Sequence, residues 1–285
     1  MTSPGDGPAL PARPRGDRVF LWSLGILGGL YILLVTALLA ADASYGTPEF
    51  LAKALASAEI RHAIWLSPES CTLTALLALW IAVPLGYLMS RHRFPGKAVL
   101  DAMLDIPIIL PPLVIGLSLL VLFHSPVARA VEGVLPRWLQ FPVTYAVPGV
   151  VLAQFTVAAA FAVRTMRSTF DHISPRHEQV ALTLGASRAQ AFWLVVLPEA
   201  RRGIVTAGTL AWARALGEFG PILVFCGSTR MRTEVLPTTV FLELSIGNLE
   251  SAAAVSVLMV IAAVIVLVIV RLAGRGEAAA GSPPR

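Results

Sequence analysis

Arg214 and Glu218 stand four residues apart in Gly203 to Phe225, a run with no other charge. At helical spacing they share one face, where they neutralise each other or present charge to something passing. A charge at the centre of a bilayer costs at least about 2.5–3.5 kcal/mol, so an apolar run that keeps two needs a reason for them. Other chemistries lack their patterns. Gly96-Lys97 is followed by alanine, with no glycine five residues earlier, so no phosphate-binding loop is written here. His62, His92, His124, His172 and His177 follow neither an HExxH nor a Cys-paired metal spacing, and no GxSxG elbow is present. If this chain does work, the energy comes from another chain.

The elements that position the pair are membrane spans. The 285 residues are 56% hydrophobic and 14% charged, with a mean hydropathy of +0.75, which does not describe a soluble domain. A helix needs about 20 apolar residues to cross a bilayer. Val19 to Ala41, Ser70 to Ser90 and Ser251 to Val270 are charge-free runs of that kind. Ile106 to Phe123 is also charge-free but holds Pro107, Pro111 and Pro112, which predict a broken or kinked start. A fourth span is placed near Val147 to Val163, inside the uncharged run from Trp138, and Gly203 to Phe225 is the fifth in chain order. The fold class is therefore all-α, a polytopic membrane protein with six transmembrane helices. Counted from Gly203 at 1.5 Å per residue, Arg214 lies about 17 Å along its helix, near the midplane of a core about 30 Å thick. Gly217 and Gly220 leave room on this face, and Pro221 breaks the helix ladder.

Lys and Arg set the orientation. Arg13, Arg15 and Arg18, the loop Arg91 to Lys97, the loop Arg164 to Arg202 and the tail from Arg271 hold 15 of the 22 basic residues. Lys53, Arg61, Arg129, Arg137, Arg230 and Arg232 fall on the opposite side. Both termini and the long loop are thus expected in the cytoplasm, and the pI of 9.8 reflects anchoring to the bilayer rather than nucleic-acid binding. The first span also resembles a signal peptide ending at Ala41-Asp42-Ala43, but its uncharged run exceeds a signal core of about 7–15 residues and is read as a retained span. Cys71 and Cys226 fall within spans and read as packing residues. Residues 1–18 and 273–285 read as mobile tails around a six-span domain, residues 19–272.

The long basic loop carries the second pattern. Ser174 caps a helix with Pro175 at its first position, and Val180, Ala181 and Leu184 share one face. Gly185 stops that helix, and Ser187 with Gln190 forms a capping box for another carrying Phe192, Trp193 and Val196, which Leu197-Pro198 ends. Read alone, this is a helix, a glycine hinge and a helix lying in the headgroups.

The spacing Gln179-Val180-Ala181, three residues, Gly185, nine residues, Val195-x-Leu197-Pro198 resembles the EAA loop of permease subunits of ATP-binding-cassette (ABC) importers. Gln179 replaces the family's glutamate and Val180 its first alanine, while Glu178 keeps a carboxylate one position upstream. "ARALGEFG", "TEVLPTTVFLEL", "GNLESAAAVSVLMV" and "FPGKAVLDAMLDIPIILPPLVIGLSLL" are similar to the molybdate, tungstate and sulfate branch, over roughly Ile60 to Leu272. The resemblance implies the type I importer permease fold in a bacterial or archaeal cytoplasmic membrane. It implies an ATPase-coupling loop, about residues 171–198, with Glu178, Gln179, Val180, Ala181, Gly185, Ala186, Leu197 and Pro198 as its contact residues. A translocation pathway would be lined by Arg214, Gly217, Glu218, Phe219 and Gly220.

The implied partners are two ABC ATPase subunits, an extracytoplasmic substrate-binding protein received by the external loops, and a second permease copy. No cofactor is implied on this chain, ATP-Mg being held by the ATPase. An importer for iron, thiamine or a polyamine shares parts of the pattern. An intramembrane enzyme built on Arg214, Glu218 and histidines would need a nucleophile–base pair at a recognisable spacing, which is not found. Arg230, Arg232, Glu234, Glu243 and Glu250 are expected in a solvated external loop.

Overall fold

The computed structural model describes residues 15–45, 48–126, 128 and 143–280. Residues 1–14 and 281–285 of the expected tails, and the stretch with Arg129, Arg137 and Trp138, lie outside them. Every regular element among the described residues is helical. In chain order these are α1 (Arg15–Tyr45), α2 (Pro48–Ala56), α3 (Ala58–Arg91), α4 (Lys97–Ile109), α5 (Pro112–His124) and α6 (Val147–His172). Then come α7 (Pro175–Thr183), α8 (Arg188–Ala191), a π-helical stretch (Phe192–Val196) and α9 (Leu197–Glu199). The chain continues with α10 (Arg201–Leu216), α11 (Gly220–Cys226), α12 (Leu236–Ser245) and α13 (Leu249–Ala280).

Among the described residues, α1, α3, α6 and α13 are each long and apolar enough to cross a membrane. Counting each of the bent pairs α4–α5 and α10–α11 as one span gives the six expected from sequence. The first pair turns by 113° between Ile109 and Pro112, where Pro111 and Pro112 supply no N–H to continue the ladder, so the expected break is present. The second turns by 61°, and its break lies at Gly217 to Phe219 rather than at Pro221. Proline is tolerated in a first helical turn, so Pro221 starts α11 and the interruption falls just before it. Two spans outrun the sequence expectation: α3 begins at Ala58, and α6 runs on to His172.

The core is a seam of small residues. Ala75, Ala78 and Ala82 of α3 pack with Ala158, Ala162 and Met166 of α6 and with Ala207, Ala211 and Ala215 of α10, all buried. Lipid chains are as apolar as leucine, so spans associate by close backbone approach and by hydrogen bonds rather than by leaving water. Both are present. Gln154 of α6 is fully buried; its amide donates to the Ala215 carbonyl at 3.3 Å and its Oε1 accepts from Thr74 at 3.1 Å, joining the three helices. Cys71 and Cys226 are free and buried in this packing.

Gly86 marks a close approach of backbone to backbone in the seam. A Cβ there would lie 2.8 Å from the Met166 Cβ and 2.9 Å from the Arg167 backbone nitrogen. Gly86→Ala therefore forces α3 and α6 apart and should cost about 1–3 kcal/mol. Gly28→Ala in α1, where a Cβ meets nothing, should be neutral or slightly stabilising. Thermal unfolding of the detergent-solubilised protein checks this, and equal midpoints for the two variants would refute it.

Candidate functional site

The loop between α6 and α10 builds the first candidate site. Ser174 caps α7, its hydroxyl accepting from the Arg176 N–H at 3.4 Å. At the other end of α7 the Gly185 N–H donates to the Leu182 carbonyl at 3.0 Å and the Ala186 N–H to the Ala181 carbonyl at 3.1 Å. This is the Schellman pattern, which requires a left-handed residue, and Gly185 has φ +90°. The predicted capping box of α8 is formed by Ser187 and Gln190. Leu197-Pro198 does not end this second helix. Pro198 cannot donate to Leu194, and the chain absorbs the lost bond by widening to π geometry over Phe192–Val196, so helix continues through Glu199.

Gln179, Val180, Leu184 and Gly185 are exposed, whereas Ala181 and Ala186 are half-buried. Val180 and Leu184 thus face outward, away from the partly buried Ala181 that periodicity placed beside them. With Trp193 and Leu194 they make an exposed apolar surface on the loop. Leu197 is half-buried and Pro198 exposed. Glu178 alone among the expected contact residues turns its polar group inward. Its Oε1 accepts from the Tyr87 hydroxyl at 2.6 Å, and Arg91 Nε lies 3.7 Å from its Oε2.

The second candidate site surrounds the α10–α11 break. Arg214 Nη2 lies 2.8 Å from Glu218 Oε1, and the guanidinium stacks over the Phe161 ring at 5.6 Å. Glu218 is 1% exposed and Oε1 has no aligned donor, so the contact is one of charge rather than a directed hydrogen bond. Arg214 keeps 31% of its side chain exposed. The guanidinium is therefore the accessible end of the pair. Of the two glycines expected to leave room, Gly217 does, a Cβ there meeting only helix carbonyls at 3.7–3.8 Å. Gly220 does not: Leu113 N and Pro112 Cβ would stand 3.0 and 3.1 Å from its Cβ, so it serves close packing on α5. Phe219 is half-buried, its ring 5.1 Å from that of Phe241.

At the far end of the bundle the expected solvated loop is in good part folded. Arg230 pairs with Glu243 at 2.9 Å, Asn248 donates to Glu243 at 2.8 Å, and Leu236 N–H donates to Ser67 of α3 at 2.8 Å. Glu234 is fully buried, and neither of its carboxylate oxygens has a hydrogen-bond partner. The nearby Thr239 hydroxyl is committed to the Val235 carbonyl at 3.1 Å. Sequence alone could not find this, because a Glu between Thr233 and Val235 looks the same in a solvated loop.

Among the described residues, six helical spans, with each bent pair counted as one, a two-helix loop outside the packed seam and an ion pair at the break of a span describe a polytopic helical membrane protein. The chain matches the binding-protein-dependent transport system inner membrane components over residues 82–275, well over half its length, and belongs to that family. It is 34% identical over 186 residues to the sulfate transport system permease protein CysT of Escherichia coli (strain K12). That match covers 64% of this chain and 65% of the relative, just under two-thirds of its length. It is also 34% identical over 265 residues to a probable molybdenum ABC transporter permease protein of Haloferax volcanii, covering 93% of this chain and 92% of that one. A chain of a bacterial alginate ABC transporter, solved in complex with an alginate pentasaccharide-bound periplasmic protein, shares the fold. Its TM-score is 0.70 at 19% identity, over 90% of this chain and 93% of that one.

Burial holds the Glu234 carboxyl above its ordinary pKa, opposed by the nearby Thr239 hydroxyl and then by Arg230, and reinforced by Glu243 and Glu59. The folded state therefore prefers the protonated acid. Stability falls as pH rises from the ordinary carboxylate range towards the raised pKa, and is flat above it. Glu234→Gln should raise the melting temperature at about pH 8 more than at about pH 5. A difference independent of pH would exclude this assignment.

Proposed function

We propose that this chain is the permease subunit of an ATP-driven importer of a tetrahedral oxyanion, molybdate or tungstate before sulfate. Family membership and the names of the two relatives, one for sulfate and one for molybdenum, support the substrate class. The observation that carries the mechanism is the α7 surface. Gln179, Val180, Leu182 and Leu184 face outward on a short helix whose other side is tied to a membrane span. Such a helix fits a groove in a separate ATPase, with α8 and the π-helical stretch bracing it.

Two ATPase subunits beneath a permease pair, a homodimer about a two-fold axis, complete the assembly in a bacterial or archaeal cytoplasmic membrane, with both permease termini in the cytoplasm. ATP-Mg stays on the ATPases, and an extracytoplasmic binding protein delivers the anion to the loops around α12. ATP binding draws the ATPases together, the two α7 helices follow, and the spans rock to the outward-open state. Hydrolysis returns them and releases the anion inward. In the pathway Glu218 is buried behind Arg214, so an anion approaching from the open side meets the guanidinium first. Gly217 leaves the space beside it, and Phe219 and Gly220 hold the break on α5 and α12.

Cells expressing the complete transporter should take up labelled molybdate, with tungstate competing better than sulfate. No uptake with an ATPase that still co-purifies would remove the oxyanion and leave the importer. Gly185→Asp places a side chain on the docking surface and strains a left-handed position. It should abolish transport while the protein stays in the membrane fraction; loss of the protein from that fraction would refute a docking role.

A further inference from the structure

Glu178 is in the first turn of α7, where a carboxylate on a surface helix ordinarily faces water and favours the helix N-terminus. Here it is drawn against the end of α3. Tyr87 and Arg91 are one turn apart on that helix, and the Glu178 carboxylate bridges them, Tyr87 Oη to Oε1 at 2.6 Å and Arg91 Nε to Oε2 at 3.7 Å. The Glu178 and Arg91 side chains are only 15% and 10% exposed. The Tyr87–Glu178 bond is charge-assisted, partly withdrawn from water and directional, whereas the longer Arg91 contact, whose Nε has no aligned acceptor, is one of charge alone.

Three further contacts converge on the same turn of α3. Arg91 Nη2 donates to the Ile173 carbonyl at 2.8 Å, immediately before the Ser174 cap. The Tyr87 ring packs edge-on against Phe170 of α6 at 5.6 Å and against Phe192 of the π-helical stretch at 4.7 Å. The start of the loop, its first helix and its second helix are thus each fastened to Tyr87 or Arg91. The exposed side of α7 remains open to a partner, and its carboxylate is engaged on the inner side.

We propose that Glu178 is a positioning residue that carries movement of α7 into the α3 span, acting through Tyr87 and Arg91 rather than by touching the ATPase. This rests on the importer reading above. It assigns two sides of one short helix to two tasks, reception of the stroke on the Gln179, Val180, Leu182 and Leu184 surface and its transmission through Glu178. Tyr87 is the donor that Glu178 requires, and its ring fixes where the acceptor must stand.

The test uses the full transporter, permease with ATPase and binding protein, reconstituted in proteoliposomes. Three variants are compared. Glu178→Ala removes both contacts, Glu178→Gln keeps an acceptor for Tyr87 but not the charge facing Arg91, and Tyr87→Phe removes the donor while retaining the ring. ATPase co-purification should stay at the wild-type level in all three. Loss of one charge-assisted bond corresponds to about a tenfold effect, so ATP hydrolysis stimulated by the loaded binding protein, and anion imported per ATP, should fall about tenfold in Glu178→Ala. They should fall less in Glu178→Gln and Tyr87→Phe, and the double variant Tyr87→Phe/Glu178→Ala should be no worse than Glu178→Ala. Weakened ATPase retention in Glu178→Ala with normal behaviour of Tyr87→Phe would overturn the proposal in favour of a direct ATPase contact. Wild-type coupling in both would overturn it as well. Failure of the wild-type chain to retain any ATPase would instead bring down the importer reading itself.

Discussion

Within hydrocarbon, a backbone N–H or C=O without a partner costs several kcal/mol, so an interrupted helix survives in a membrane only where protein covers the interruption. Both bent spans of this chain obey that constraint by covering each other. A Cβ on Gly116 would lie 2.8 Å from Pro221 Cα, and one on Gly220 would lie 3.0 Å from Leu113 N, so α5 and α11 meet backbone to backbone beside the two breaks. Each glycine is the space for the other span's proline segment. The ion pair depends on this arrangement, because Arg214 stands in the last turn of α10 and Glu218 within the 217–219 break, where the α10 ladder stops and the backbone turns by 61°.

The charges on the remaining interfaces are organised in the same spirit. Asp101 and Asp105, one turn apart on α4, pair with Arg167 and Arg164 on α6, while Asp171 of α6 accepts from Ser90 of α3. Side chains at these pairs are part-exposed, so they are weak contributors to stability and better understood as fixing the register of α4, a helix with no buried residue of its own, against α6. The Val99, Met103, Ile106 and Ile109 side chains on α4 remain exposed, an apolar surface suited to lipid or to another span.

Hydropathy made the spans legible because a bilayer demands long apolar runs, and the loop helices were legible because caps and a glycine stop are local chemistry. Ser174, Gly185, Ser187 and Gln190 do in the structure what their types and spacing suggested. What sequence left dark was everything set by a distant neighbour. Gln154 reads as an odd polar residue in a span until Thr74 and Ala215 are beside it. Gly220 reads as open space until Pro112 fills it, and Glu178 reads as a surface acid until Tyr87 and Arg91, some ninety residues earlier in the chain, close on it. Pro198 misled for a local reason, since a single π turn is enough to carry a helix past a proline.

These distant neighbours have one element in common. α3 runs unbroken for 34 residues, about 50 Å at the helical rise, and every functional region touches it. Tyr87 and Arg91 hold the two-helix loop at one end. In the middle Thr74 reaches Gln154, which binds the Ala215 carbonyl one turn from the α10 break, and Thr72 accepts from the Trp212 indole at 3.2 Å. Near the other end Ser67 accepts from Leu236 N–H at the start of α12. A helix behaves as a stiff rod over such distances except where its ladder is interrupted, and Pro84, which withdraws one bond a single turn from Tyr87, is the interruption nearest the loop. Displacement of the loop end therefore cannot be absorbed locally in loose chain: it either bends α3 at Pro84 or moves the Thr74 and Thr72 contacts that hold α10 beside its break. The small-residue seam with α6 decides between these, because backbones already in contact at Gly86 leave little slack for a bend and favour movement of the packed unit.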